Sequence, residues 1–172
     1  VTDNDYRYPQ VLKASLAIDQ KLPLNLVATA EFIYTKNMNA VLYYNANSRL
    51  ADTVFTGPDQ RPRYDGIIGS TSQFTAPTRV VSNVSSAVVM STTNQGDYMG
   101  ATIKLEYPER KGFYGMFAYT YSKSMDLMSA GSIASGSWTA ARSVNGNNRL
   151  DLSFADADVP HRLIGLLSYR AT

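Results

Sequence analysis

Three observations predict an all-β fold for this chain, an antiparallel up-and-down meander. Apolar and polar residues alternate with a period of two along several segments. Short and long connections between those segments alternate strictly, and one face of each segment is free of Asp, Glu, Lys and Arg. Strand side chains point to opposite faces in turn, so the alternation means strands with one apolar and one polar side. In an up-and-down sheet alternate connections lie on the same edge. Every short turn therefore falls on one side and every long loop on the other.

The clearest element is a hairpin over 98–124, YMGATIKLEYPERKGFYGMFAYTYSKS. On its first arm Ala101, Ile103, Leu105 and Tyr107 share one face, and Gly100, Thr102, Lys104 and Glu106 the other. Phe113, Gly115, Phe117, Tyr119 and Tyr121 form the matching face of the second arm. Between the arms, Pro108-Glu109-Arg110-Lys111-Gly112 reads as a five-residue turn, with a proline that cannot donate a hydrogen bond and a glycine free to take positive φ.

From the N-terminus, strands are expected near 11–22 and 26–45, joined through Pro23-Leu24-Asn25. Leu12, Ala14, Leu16, Ile18 and Leu22 face one way on the first, and Ala28, Ala30, Phe32 and Tyr34 on the second. The text over 46–80 is dense in Gly, Pro, Asn, Asp, Ser and Thr and reads as a long loop. Strand propensity returns at 81–93, and Asn94-Gln95-Gly96 turns the chain into the hairpin strands, 95–107 and 113–125. A second long loop covers 126–159, and a last strand 160–170 places Leu163, Gly165, Leu167 and Tyr169 on one face.

Composition narrows the setting. Of 172 residues 44% are hydrophobic and only 17% charged, against about 25% charged in ordinary soluble domains. Twelve Tyr beside one Trp and six Phe suit strands and boundaries that are apolar on one side and wet on the other. A net charge of +2 without a basic run excludes a nucleic-acid partner. The absence of cysteine excludes a disulfide scaffold and a thiolate metal site. No stretch approaches the ~18 apolar residues of a membrane-spanning helix. The first residues carry no basic start followed by an apolar run, and both ends read as cut from a longer chain.

A charge-free face fits either lipid or the core of a sandwich, and aromatic placement separates the two. Tyr107, Phe113 and Tyr169 lie towards the short turns, whereas Phe32, Tyr34, Tyr119 and Tyr121 lie towards the long loops on the same apolar faces. Phe113 and Tyr121 are separated by about 26 Å of strand, or about 19 Å of depth at a 45° tilt. Two aromatic rows flanking an apolar band predict part of a large transmembrane β-barrel, with short periplasmic turns and long extracellular loops. The alternative is a secreted β-sandwich module that binds glycan or protein through its long loops.

The phrases PQVLKASLAIDQKLP, EFIYTKNMNAV, GPDQRPRY, YPERKGFYGMFAYTYSKSMD and DVPHRLIGLLSYR, in that order, give the chain a further identity as a sequence. It resembles the Oar-like TonB-dependent outer-membrane receptors. The resemblance spans nearly the whole chain and implies the C-terminal part of the barrel of a receptor that imports an unidentified ligand. It also implies a Gram-negative outer membrane, lipid against the apolar faces, and, in the complete receptor, a plug domain and the TonB complex as partners. This chain contains no plug, and about five of the roughly 22 strands of such transporters.

No cofactor and no catalytic residue are expected. His161 is the only histidine and has no second imidazole to join it; it reads as a polar residue opening a strand after Pro160. Asp151, Asp156 and Asp158 lack the glycine and terminal glutamate of a calcium-binding loop. Glu31 and Glu106 are expected to pair with Lys104 or Arg170 across neighbouring strands. Tyr64, Phe74 and Trp138 occupy the long loops, where recognition residues concentrate, and are the ligand-binding candidates; packing of loop against loop is the plainer expectation.

Overall fold

The structure, a computed structural model, describes residues 1–49, 51, 53–63 and 79–171. In chain order its strands are β1 (Val11–Lys21), β2 (Val27–Asn37), β3 (Ala40–Asn45), β4 (Thr53–Val54), β5 (Pro62–Arg63), β6 (Val88–Thr93), β7 (Asp97–Arg110), β8 (Phe113–Asp126), β9 (Ser153–Phe154) and β10 (His161–Tyr169). A 3₁₀ turn, Pro23–Asn25, joins β1 to β2, and a helix α1, Ala134–Ala140, lies between β8 and β9. The chain divides into two compact units.

One unit comprises Val11–Met38, Gln95–Asp126 and Phe154–Thr172. Its sheet has the order β1-β2-β7-β8-β10, every neighbour antiparallel, with β9 also paired to β8. β1 and β10 are its edges. Ile103 stands opposite Tyr119 and Leu105 opposite Phe117, so the two arms of the hairpin share their apolar face.

The turn of that hairpin is tighter than its sequence suggests. β7 runs through Pro108 to Arg110, with a bulge between Tyr107 and Arg110, and only Lys111 and Gly112 remain as the loop. Both have positive φ, 51° and 80°, as a type I′ two-residue hairpin requires. The bulge takes Pro108 out of the regular ladder, where its missing N–H would cost a hydrogen bond. Gly112 cannot be replaced freely, because a Cβ there would run into the carbonyl oxygen of Arg170.

The strand expected over 26–45 is broken. β2 ends at Asn37 and β3 pairs with β6 instead of continuing in the same sheet. The break is fixed at Asn37, whose N–H donates to Gly96 O at 3.1 Å. Gly96 has φ 105°, and a Cβ on it would lie 2.6 Å from Asn37 Nδ2.

The other unit comprises Val1–Gln10, Asn39–Asn94 and Leu127–Ser153. Here β3 pairs antiparallel with β6, Thr2 adds a parallel bridge to Met90, and α1 packs beside both strands. β6 is shorter than the expected 81–93 segment because the side chain of Asn47 captures its beginning. Asn47 Nδ2 donates to the carbonyls of Val81 at 3.1 Å and Val84 at 2.6 Å, and its Oδ1 accepts Val81 N–H at 2.7 Å. Side-chain amides that satisfy backbone groups in this way compete with strand pairing.

Candidate functional site

The register of the five-stranded sheet sorts its side chains into two chemically distinct faces. Across one row lie Leu16, Phe32, Ala101, Tyr121 and His161; across the next, Ile18, Ala30, Ile103, Tyr119 and Leu163. Below them come Gln20, Ala28, Leu105, Phe117 and Gly165, then Tyr107, Gly115 and Leu167, and finally Phe113 opposite Tyr169. No carboxylate, ammonium or guanidinium group interrupts these rows short of the hairpin turn. Charge returns on this face at its two ends, at Arg110 opposite Phe113 beside the short turn and at Lys36, Asp97 and Lys123 towards the long loops.

Exposure on the inner strands is the reverse of a water-soluble fold. Ile103 is 65% exposed, Phe117 49% and Phe32 48%, whereas Glu31, Lys104, Glu106 and Thr120 on the opposite face are half-buried. No hydrophobic side chain among the described residues is buried. A sandwich would place these apolar rows inside, since burial stabilises them by about 25 cal/mol per Å². Here they stand open.

Aromatic side chains bound the apolar rows at both ends. Near the short turns the rings of Tyr107 and Phe113 lie 5.7 Å apart. At the far end His161 stacks on Tyr119 at 6.2 Å and packs against Tyr121 at 5.3 Å. Its Nδ1 lies 2.7 Å from the Tyr119 hydroxyl. The histidine that reads in sequence as an isolated polar residue therefore belongs to an aromatic cluster. Its partners are some 40 residues away and only the β8–β10 register reveals them.

Part of the charge on the polar face is held in short-range contacts. Lys104 Nζ pairs with Glu106 Oε2 at 2.9 Å along β7, rather than across strands as expected. Thr29 Oγ1 donates to Asp19 Oδ1 at 2.5 Å, and the hydroxyls of Thr102 and Thr120 meet at 3.0 Å. Towards the long-loop end this face carries a recess of about 260 Å³ lined by Tyr98, Thr120, Ser122, Ser124, Asp158 and Arg162, among others. The sequence alone does not mark Arg162 and Asp158 as a pair. The signal was present only in their shared proximity to the Pro160 strand start, without a register to show that both turn towards β8.

Of the three loop candidates, Tyr64 and Phe74 lie outside the described residues. Trp138 sits on α1, and its indole N–H donates to Asn148 Oδ1 at 2.8 Å. Asn148 in turn pairs with the backbone of Asn45, donating from Nδ2 to Asn45 O at 2.8 Å and accepting from Asn45 N at 2.9 Å. Asn45 Oδ1 accepts from Ala87 N and Asn47 N. The polar atom of Trp138 is thus committed to loop architecture, while its ring remains half-exposed.

Among the described residues no group of three or more His, Cys, Asp or Glu is placed to hold a metal ion. Asp151 instead accepts Ser143 Oγ at 2.7 Å and Asn145 Nδ2 at 2.8 Å. In the loop between β4 and β5, Arg61 forms a close pair with Asp59, with Nη2 2.7 Å from Oδ2. Hydrogen bonds from the Arg61 side chain and then its backbone N–H hold the Asp59 carboxyl down at about 2.

A family model described as an outer membrane beta barrel domain matches residues 1–171. No curated protein and no solved structure matches the chain.

Proposed function

The chain belongs to the outer membrane beta barrel domain family and is an outer-membrane protein, and from that premise we propose that it forms part of the barrel of a TonB-dependent receptor that imports a ligand across the outer membrane. The observation that carries the reading is the pair of faces on one sheet: apolar rows without charge, bounded by aromatic rings, opposite a face bearing Lys104, Glu106, Glu31 and Arg162. In this reading the apolar rows meet lipid, and the polar face meets an aqueous lumen or the plug that fills it. Only a closed barrel satisfies every backbone group in hydrocarbon, so the edges at β1 and β10 pair with further strands of the same wall. The TonB-dependent step rests on the resemblance of the five quoted phrases to Oar-like receptors.

Uptake tests this directly. Cells carrying the full-length protein are expected to take up a solute that cells lacking it do not, and to lose that uptake when TonB is depleted. Uptake that persists undiminished without TonB would indicate a passive pore. Recovery of the full-length protein only in the soluble secreted fraction would contradict the barrel itself.

A further inference from the structure

The recess on the polar face combines two opposite charges that do not neutralise each other. Its floor is β8, from which Thr120, Ser122 and Ser124 all project to the same side. The segment 155–160 forms one wall and is fastened to β8 by four hydrogen bonds: Ser122 N to Pro160 O at 3.0 Å, Ser122 Oγ to Val159 O at 2.9 Å, Ala155 N to Ser124 O at 3.0 Å, and Ser124 N to Asp158 Oδ1 at 2.7 Å. The last of these fixes the Asp158 carboxylate by one oxygen. Its second oxygen makes no hydrogen bond to any described residue.

Arg162, on β10, continues the same wall opposite Thr120, and its side chain has neither a hydrogen bond nor an ion pair among the described residues. The opposite wall is Tyr98 on β7, whose phenol lies against Gly100; a Cβ at Gly100 would come 2.6 Å from the tyrosine hydroxyl. Glycine at 100 is thus what allows the ring to lie along the strand and close the recess. A free guanidinium and a half-used carboxylate facing one small cavity set a demand on its occupant. A simple anion would be attracted by Arg162 and repelled by Asp158, and a simple cation the reverse. A molecule bearing both charges satisfies both groups.

We propose that this recess binds a small zwitterion with a carboxylate and an ammonium group, the chemistry of a free α-amino acid. Its carboxylate pairs with the planar fork of Arg162, the geometry in which arginine binds carboxylates most strongly. Its ammonium group donates to the free oxygen of Asp158, and the hydroxyls of Ser124 and Tyr98 supply the remaining polar contacts. The volume of about 260 Å³ lies just under the roughly 300 Å³ at which pockets for drug-sized ligands begin, which limits the occupant to a small molecule. The proposal rests on the polar face being open to water in the assembled barrel. It does not depend on TonB.

Titration calorimetry of the full-length protein in detergent micelles, at low salt and with L-alanine as probe, tests it. Saturable binding is expected, weakened about tenfold or more when either charge of the ligand is removed, as in N-acetyl-L-alanine or L-alaninamide, the loss of one charge-assisted pair. Arg162→Gln and Asp158→Asn are expected to weaken L-alanine by a similar factor. Asp158→Asn keeps an oxygen for Ser124 N–H, and Glu31→Gln, two strands away from β8, should leave binding unchanged. Absence of saturable binding, or acetate or glucose binding as tightly as L-alanine, overturns the proposal. So does unchanged affinity in both recess variants. If the variants fail to assemble, the comparison of ligands on the unaltered protein decides alone. The purified protein in micelles contains no TonB, so saturable zwitterion binding together with TonB-independent uptake overturns the receptor reading alone, and TonB-dependent uptake without such binding overturns this site alone.

Discussion

Phe117 and Met116 are adjacent in β8 and occupy opposite faces, which makes them a matched pair for testing the two-faced sheet. Phe117 stands opposite Leu105 and Gly165, midway between the aromatic rows ended by Phe113 and Tyr121. Met116 stands opposite Glu106 on the polar face. Replacing Phe117 with Arg puts a guanidinium at mid-depth on the lipid side, at a cost of about 2–4 kcal/mol. That is roughly a 30- to 700-fold loss in the folding equilibrium constant. Met116→Arg places the same charge beside a carboxylate on the other face and is expected to cost no more than about 1 kcal/mol. Reversible denaturant unfolding of the full-length barrel in lipid vesicles, followed by tryptophan fluorescence, gives both values in one assay. Equal destabilisation by the two substitutions would refute the face assignment, and so would a tolerated Phe117→Arg.

Three further outcomes follow from particular contacts. Gly112→Ala forces a Cβ both into the left-handed region and against the Arg170 carbonyl, so it should destabilise by more than the about 1–2 kcal/mol of the conformation alone, measured by the same unfolding assay. Asn148→Asp removes the donor to Asn45 O while leaving an acceptor for Trp138; a loss of about 1–3 kcal/mol in local stability is expected, read as faster proteolysis of the long loops and a changed Trp138 emission. For Asp59, whose carboxyl is held at about 2 against an ordinary 3.8, the Arg61 contact contributes above the ordinary value and is lost as pH falls through the lowered one. NMR titration of Asp59 should give a midpoint near 2, and Arg61→Gln should return it towards the ordinary carboxylate range.

Period-two patterning made the principal sheet legible, because a single register error would have moved every apolar residue of a strand to the wrong face. The faces of β7 and β8 and the position of the aromatic rows follow from that period, and the side on which the short turns lie follows from the alternation of short and long connections. Features that depend on contacts between distant segments were not legible. The break after Asn37 arises from Gly96, the capture of Val81 and Val84 from Asn47, and the loop architecture around Trp138 from Asn45 and Asn148. Asparagines in a Ser- and Asn-rich text look alike until the fold brings their amides to specific backbone groups. The hairpin turn reads as five residues because Pro108 signals a turn locally, whereas the bulge between Tyr107 and Arg110 lets β7 continue past it. His161 and the Arg162–Asp158 recess likewise emerge only once β8 and β10 are aligned.

Single-site spin labelling measures the central claim residue by residue; this chain contains no cysteine, and any cysteine elsewhere in the full-length protein is first replaced by serine. A cysteine-attached nitroxide is placed in turn at each position from 114 to 120 of the full-length protein in membranes, and its collisions with lipid-dissolved oxygen and with a water-soluble nickel chelate are compared. The two-faced sheet predicts oxygen contact peaking at Gly115, Phe117 and Tyr119, with minima at Tyr114, Met116, Ala118 and Thr120. A profile without that alternation, or one with its phase reversed, would contradict a strand that turns its aromatic side to lipid.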